Sequence, residues 1–182
     1  MSIPKKLLHY LQQKKAKYEV VTHRTVYTAF DLAQTMHIKP KEVVKTLVVK
    51  LNGKEPVVVM ISADKNLDKK KFLHVVNAWM SGKGASETAA ALKEKLHSKA
   101  RSLEFAKEAW LRKKVMGKPG ATPPFGEVLK MPVFADEQVM GLKTLLLNSG
   151  NYETSLRLSV AEFKKWNRVV EGRFGIARKN DQ

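Results

Sequence analysis

At 182 residues the chain is long enough for one compact domain and short for two, and 43% apolar with 28% charged residues places it far from disordered compositions. Lys and Arg number 34 against 17 Asp and Glu, a net charge of +17 that draws polyanions, with nucleic acid the obvious one and an acidic lipid surface the other. Cysteine is absent, which excludes disulfides, thiolate nucleophiles and cysteine-ligated zinc or iron–sulfur centres.

Ser2-Ile3-Pro4 reads as a helix start with proline in the first turn, and Leu7, Leu8 and Leu11 give one apolar stripe to about Lys15. His9 and Gln12-Gln13 interrupt that stretch, so it is not the apolar core of a signal peptide. Residues 18–21 are a short strand candidate. Thr28-Ala-Phe-Asp31 has the spacing of a helix N-cap, with the helix ending near His37, ahead of Pro40. The clearest strand pair follows: residues 43–51 and 56–62 flank Asn52-Gly53, the preferred dipeptide of a tight hairpin turn, and should pair antiparallel. The longest apolar run, residues 57–61, is far short of the ~20 residues of a membrane span. Residues 64–76 predict a basic helix. A second is expected over 86–100, with Ala89, Ala90, Leu92 and Leu96 facing inward. Ser81-Gly-Lys-Gly84 between them does not fit G-x-x-x-x-G-K-[ST] and reads as a linker.

Residues 102–106 suggest a short strand and 107–114 a helical turn carrying Trp110 inward. Gly117-Lys-Pro-Gly-Ala-Thr-Pro-Pro-Phe-Gly126 must be a loop with several fixed backbone angles. Residues 133–135, 144–148 and 155–158 are further strand candidates. Ser159-Val-Ala-Glu162 is a capping box opening a last helix through Trp166 to about Val170. The mixture argues an α+β fold, a single domain on a mixed, mostly antiparallel sheet with surrounding helices. Residues 1–171 are expected to form that domain, with a helical insertion at about 77–101, and the basic tail 172–182 is expected to fray.

Alternation along the first hairpin strand sets Lys45 on one face with Val43, Leu47, Val49 and Leu51. A lysine among aliphatic neighbours either snorkels past the strand end or lines a cleft. The Gly117 to Gly126 loop could turn backbone N–H groups toward a ligand, or be a surface turn. Asn148-Ser149-Gly150 is a turn that could sit at a cleft mouth, and His23 and Thr28 flank the start of a helix. His9, His23, His37, His74 and His97 form no H-x-x-x-H or H-x-H pair, so no metal site and no cofactor is expected.

Taken in order, Tyr18-Glu-Val-Val-Thr-His23, Val26-Tyr27-Thr28, Val44-Lys45-Thr-Leu-Val-Val49, Gly120-Ala-Thr-Pro-Pro124-Phe-Gly126 and Asn148-Ser-Gly150 resemble the YbaK family of editing domains, freestanding relatives of the insertion domain of bacterial prolyl-tRNA synthetase. The resemblance covers roughly residues 7–163. It implies an α+β fold around a mixed sheet and hydrolysis of the ester in wrongly charged aminoacyl-tRNA. By that similarity Lys45, Gly120 and Pro124 are the catalytic group, Lys45 holding the terminal phosphate or ribose and the N–H groups of the Gly120 to Pro124 loop binding the ester carbonyl. Water would attack with help from the terminal ribose 2′-hydroxyl. His23, Tyr27, Thr28, Ala121, Thr122, Phe125, Gly126, Asn148, Ser149 and Gly150 are the expected substrate-binding residues. The implied partners are mischarged tRNA, with cysteinyl or alanyl proline tRNA as the substrates in view, and prolyl-tRNA synthetase; a cytoplasmic location goes with them. Two other readings stand beside it: a non-catalytic tRNA- or synthetase-binding module of the same fold, and a general nucleic-acid binder. Between Phe72 and Lys107 the chain is longer than a minimal member of the family.

Overall fold

The computed structural model describes residues 2–83 and 86–179. Gly84 of the predicted linker and residues 180–182 of the tail lie outside the described residues.

Pro4 stands at the N-cap of helix α1 (Lys5–Gln13), which buries Leu7, Tyr10 and Leu11. Strand β1 (Glu19–Thr22) leads to α2 (Ala29–Thr35), where the Thr28 side chain accepts from Asp31 N–H as its motif predicts. The hairpin β2 (Val44–Leu51) and β3 (Glu55–Ser62) pairs antiparallel. Asn52 and Gly53 both take positive φ, 52° and 69°, and Lys54 N–H closes the turn on Leu51 C=O at 3.0 Å. Lys54 adds a third loop residue, so Leu51 faces Glu55.

The expected helix over 64–76 begins later. Residues Lys65–Leu67 form strand β4, and Asp68 caps α3 (Lys69–Ser81) by accepting from Lys71 N–H. Within the expected insertion Ser86 caps α4 (Glu87–Lys95), which buries Ala89 and Leu92, with Leu96 just beyond it; Ala90 is exposed rather than inward. Strand β5 (Leu103–Phe105) is followed by α5 (Glu108–Lys114), a helix with no buried residue. Trp110 therefore does not point inward: its ring lies half-exposed beneath the Lys50 ammonium, 4.6 Å from the centroid.

After the long loop come α6 (Gly126–Leu129), β6 (Val133–Asp136), α7 (Glu137–Met140), β7 (Thr144–Asn148), β8 (Thr154–Ser159) and α8 (Val160–Trp166). Ser159 caps α8 through Glu162 N–H, but the Glu162 carboxylate accepts from Lys17 N–H, so the capping box is only half made. The helix stops at Trp166 rather than near Val170. Asn167 ends it by donating to Pro124 C=O at 2.9 Å while accepting from Gly126 N–H at 3.3 Å, and Val169–Gly172 becomes β9.

Where fraying was expected, residues 174–177 are packed and paired. Phe174 is fully buried against Phe72, the Asp136 carboxylate accepts from the N–H groups of Phe174 and Gly175, and Gly175–Ala177 is strand β10 on β4.

Five strands run in the order β5-β2-β3-β6-β9, antiparallel through β3 and parallel from β3 to β9; three more run β1-β8-β7. One parallel bridge, Val43 to Leu146, joins the two sheets. Alternation feeds two cores. Val49, Leu51, Val57, Val59 and Ile61 meet Phe72, Val76 and Met80 of α3, while Val44, Val58 and Met60 meet α1, β7, β8 and Phe163. Each such large side chain contributes roughly 1.5–3 kcal/mol on burial. This is the expected α+β domain on a mixed, mostly antiparallel sheet with helices around it.

Candidate functional site

A narrow cleft of about 10 Å³, room for about one water, opens where the segment before α2, the Gly117 to Gly126 loop and the turn after β7 meet. Its lining includes His23, Tyr27, Thr28, Gly120, Ala121 and Asn148, six of the residues expected from sequence. A larger groove of about 520 Å³ lies elsewhere, along Lys14, Glu127 and Trp166, away from these residues.

Backbone hydrogen bonds fix the two walls to each other. Lys118 N–H donates to Gly150 C=O and Gly150 N–H to Ala121 C=O, both at 2.9 Å. Such an approach needs glycine: a Cβ on Gly117 would lie 2.6 Å from Gly150 Cα. Tyr152 donates its hydroxyl to Pro119 C=O at 2.7 Å and meets Tyr27 edge-on, with ring centroids 4.9 Å apart. Among the described residues the N–H groups of Gly120 and Thr122 have no protein acceptor.

His23 is held at both ring nitrogens, Nδ1 at 2.8 Å from Arg24 C=O and Nε2 at 3.0 Å from Ser155 Oγ. A carbonyl only accepts, so Nδ1 carries the proton and Nε2 accepts from the serine. His23 thus ties the wall to β8 through Ser155. Thr28 uses its hydroxyl oxygen as the α2 cap. Ser149 is fully buried with its hydroxyl on Thr154, and Gly150 forms the seam between the loops, so both support the cleft from behind.

Two expected binding residues belong elsewhere. Phe125 is a core residue, fully buried and stacked 5.4 Å from Trp166, because the loop runs buried from Ala121 on. Gly126 opens α6 and lines the larger groove. Thr122 and Pro124 are buried in the same descending segment, with Pro124 C=O accepting from Asn167.

Lys45 sits beside the cleft. The Val43–Leu146 bridge is parallel, and two residues further along each strand stand Lys45 and Asn148. Its ammonium is half-buried and donates to Lys65 C=O at 2.7 Å, so it neither snorkels out nor finds a carboxylate in contact. Burial, chiefly, and the positive charge of Arg178 lower its pKa to about 8, with Asp64 acting the other way.

With Leu32, Thr154 and Ser155, Asn151 is one of the cleft residues that sequence reading missed. Its Oδ1 accepts from Glu153 and Thr154 N–H, both at 2.9 Å, which fixes the amide orientation. The Nδ2 group on the other side is buried without a partner, and the residue lines the cleft. The signal was the turn chemistry of an asparagine accepting from N–H groups two and three residues on. Among the described residues no three histidines and carboxylates gather as a metal site requires, and no helix is long and apolar enough to cross a membrane.

A family model, the aminoacyl-tRNA editing domain, matches residues 23–88 and 84–166, most of the chain. The chain belongs to the aminoacyl-tRNA editing domain family. The two matched segments meet inside the stretch expected as an insertion. Solved structures agree on the fold. A candidate trans-editing enzyme for prolyl tRNA synthetase superposes with a TM-score of 0.70 at 18% identity, covering 97% of this chain and 100% of that one. Hypothetical protein APE2540 gives 0.72 at 16% identity, covering 94% and 100%. A scaffold chain from computational epitope grafting gives 0.68 at 15%, covering 96% and 97%. No curated protein matches the chain. The YbaK-like resemblance read from the ordered motifs is thereby borne out at the level of family and fold.

Proposed function

We propose that this editing domain is a trans-acting deacylase that hydrolyses the ester of mischarged aminoacyl-tRNA. The observation that carries the reading is a cleft lined by Gly120, whose N–H has no protein acceptor, and by Asn151, whose Nδ2 is buried without a partner, beside the strand that carries Lys45.

In this reading Lys45 grips the phosphate or ribose of the terminal nucleotide, and the aminoacyl carbonyl turns toward Gly120. Water, oriented by the terminal 2′-hydroxyl, adds to the carbonyl carbon; the oxygen that gains charge accepts from Gly120 N–H. Collapse breaks the ester C–O bond and returns a proton to the ribose oxygen, leaving free amino acid and tRNA. Water is the nucleophile in this reading, and no side chain attacks the ester. Alanine or cysteine as the amino acid removed goes with the resemblance to the family. Prolyl-tRNA synthetase as partner and the cytoplasm as location go with the same reading.

The direct test is release of amino acid from Cys-, Ala- and Ser-tRNA against correctly charged Pro-tRNA. Hydrolysis of one mischarged species is the expected result. Tight tRNA binding with no hydrolysis of any of them would instead make the chain a non-catalytic binding module.

Asn151→Asp keeps both turn acceptors and puts a carboxylate oxygen in place of the unpartnered donor, so it removes the donor and adds a negative charge. Loss of the donor together with the added charge is expected to lower kcat by at least about 10²-fold. An unchanged kcat would remove Asn151 from the reading.

A further inference from the structure

Beyond the catalytic cleft, the C-terminal strand supplies a cation to it. In the β4–β10 ladder Ala177 stands opposite Lys65, whose carbonyl accepts from Lys45 Nζ. The next residue, Arg178, extends its guanidinium over the Phe30 ring, 5.6 Å from the centroid. Among the described residues no carboxylate lies within ion-pair distance of Arg178 or of Lys45. Arg178 and Lys45 repel each other; Asp64 offsets part of that repulsion at Lys45 without an ion-pair contact, and a bound anion at Arg178 would relieve more of it.

The surroundings suit an RNA end. Among the described residues four large apolar side chains are exposed, and two of them, Tyr27 and Phe30, lie on the segment that opens the cleft. Exposed rings beside cations are how proteins seat unpaired nucleotides, the base on the ring and the phosphate on the cation.

We propose that Arg178 and Lys45 together clasp a phosphate in the unpaired 3′ end of tRNA, with Phe30 as the surface beside it. This rests on the deacylase reading for the identity of the RNA. Arg178 presents a planar fork that can hold two phosphate oxygens at once, whereas Lys45 contributes a single ammonium. The basic tail is then part of the substrate site, held in place by Asp136 through the N–H groups of Phe174 and Gly175.

The test measures binding of uncharged tRNA, intact or trimmed of its unpaired 3′ nucleotides, at fixed salt, to wild type, Arg178→Ala, Arg178→Lys and Lys113→Ala. Arg178 is exposed, so its variants should fold; Lys113, exposed on α5, is the control for general charge. Arg178→Ala is expected to weaken intact tRNA about tenfold and trimmed tRNA hardly at all, with Arg178→Lys between. Lys113→Ala should affect both RNAs alike. Equal losses on both RNAs for Arg178→Ala, or no loss, would overturn the proposal. Deacylation by the same preparations is scored separately: intact-specific loss without any hydrolysis keeps the phosphate clasp and discards the deacylase, while hydrolysis indifferent to Arg178 does the reverse.

Discussion

Replacing Lys45 by methionine is expected to lower deacylation by at least about a hundredfold while leaving the melting temperature at pH 7 no lower than in wild type. Both effects come from one placement. A half-buried ammonium on an otherwise aliphatic strand face is costly to the fold, and its pKa of about 8, mainly from burial and then from Arg178, reports that cost. Below pH 8 folded and unfolded chains both carry the proton, and the folded chain bears the full penalty. Between about 8 and the ordinary lysine value of 10.5 the unfolded chain holds a proton that the folded chain has released, so wild-type stability rises with pH across that window. Methionine has no proton to lose. Its advantage over wild type should therefore be greatest below pH 8 and shrink toward 10.5, as thermal melts at several pH values would show. Turnover should follow the opposite course, because the grip on an anionic substrate requires the charged form: KM for the wild type should climb as pH passes 8. A methionine variant that melts clearly lower at pH 7, or that turns over normally, would remove Lys45 from its assigned role.

Gly117→Ala is expected to cost about 3 kcal/mol and to abolish activity, although Gly117 itself does not line the cleft. Its φ of 89° is strained for any side chain, and the added Cβ would lie 2.6 Å from Gly150 Cα, backbone that cannot move without undoing the two hydrogen bonds between the walls. Gly53→Ala provides the comparison. That glycine also has a positive φ, 69°, but a Cβ there meets nothing within 4 Å, so only the conformational cost of about 1 kcal/mol should appear. Urea midpoints for the two variants separate strain from close approach. Losses of equal size would mean that the loop apposition adds nothing.

Local chemistry accounts for what the sequence makes legible. Asn52-Gly53 announces its turn because few other residues tolerate two successive positive φ values, and Thr28, Ser86 and Ser159 announce helix starts because their hydroxyls reach N–H groups three residues on. Six cleft residues were likewise readable from motif order. The strands of the tail were not. Lys65-Asn-Leu67 and Gly175-Ile-Ala177 carry none of the valine and threonine alternation of β2, and become strands only because each finds the other across more than a hundred residues. Val169 and Val170 read as the end of a helix until Asn167 is seen tied to Pro124 and Gly126, a partnership no local pattern announces. Phe125 was misplaced for a related reason. It sits within the motif of a binding loop, but the loop runs buried from Ala121 on. Arg178 owes its position to the same kind of distant register.

The outer wall of the cleft hangs on β1, whose partner is β8. Glu19 pairs with Arg157 there, 138 residues later in the chain. Closing a loop of that length must precede the contacts that reward it, so this topology belongs with slowly folding, high-contact-order proteins. A ribosome-bound chain that ends before β8 can form the β2–β3 hairpin and α3 but has nothing for β1 to dock against. His23 would then lack Ser155, and the His23 side of the cleft would be absent. A growing chain thus presents its positive charge to RNA well before it has a place to hold an ester.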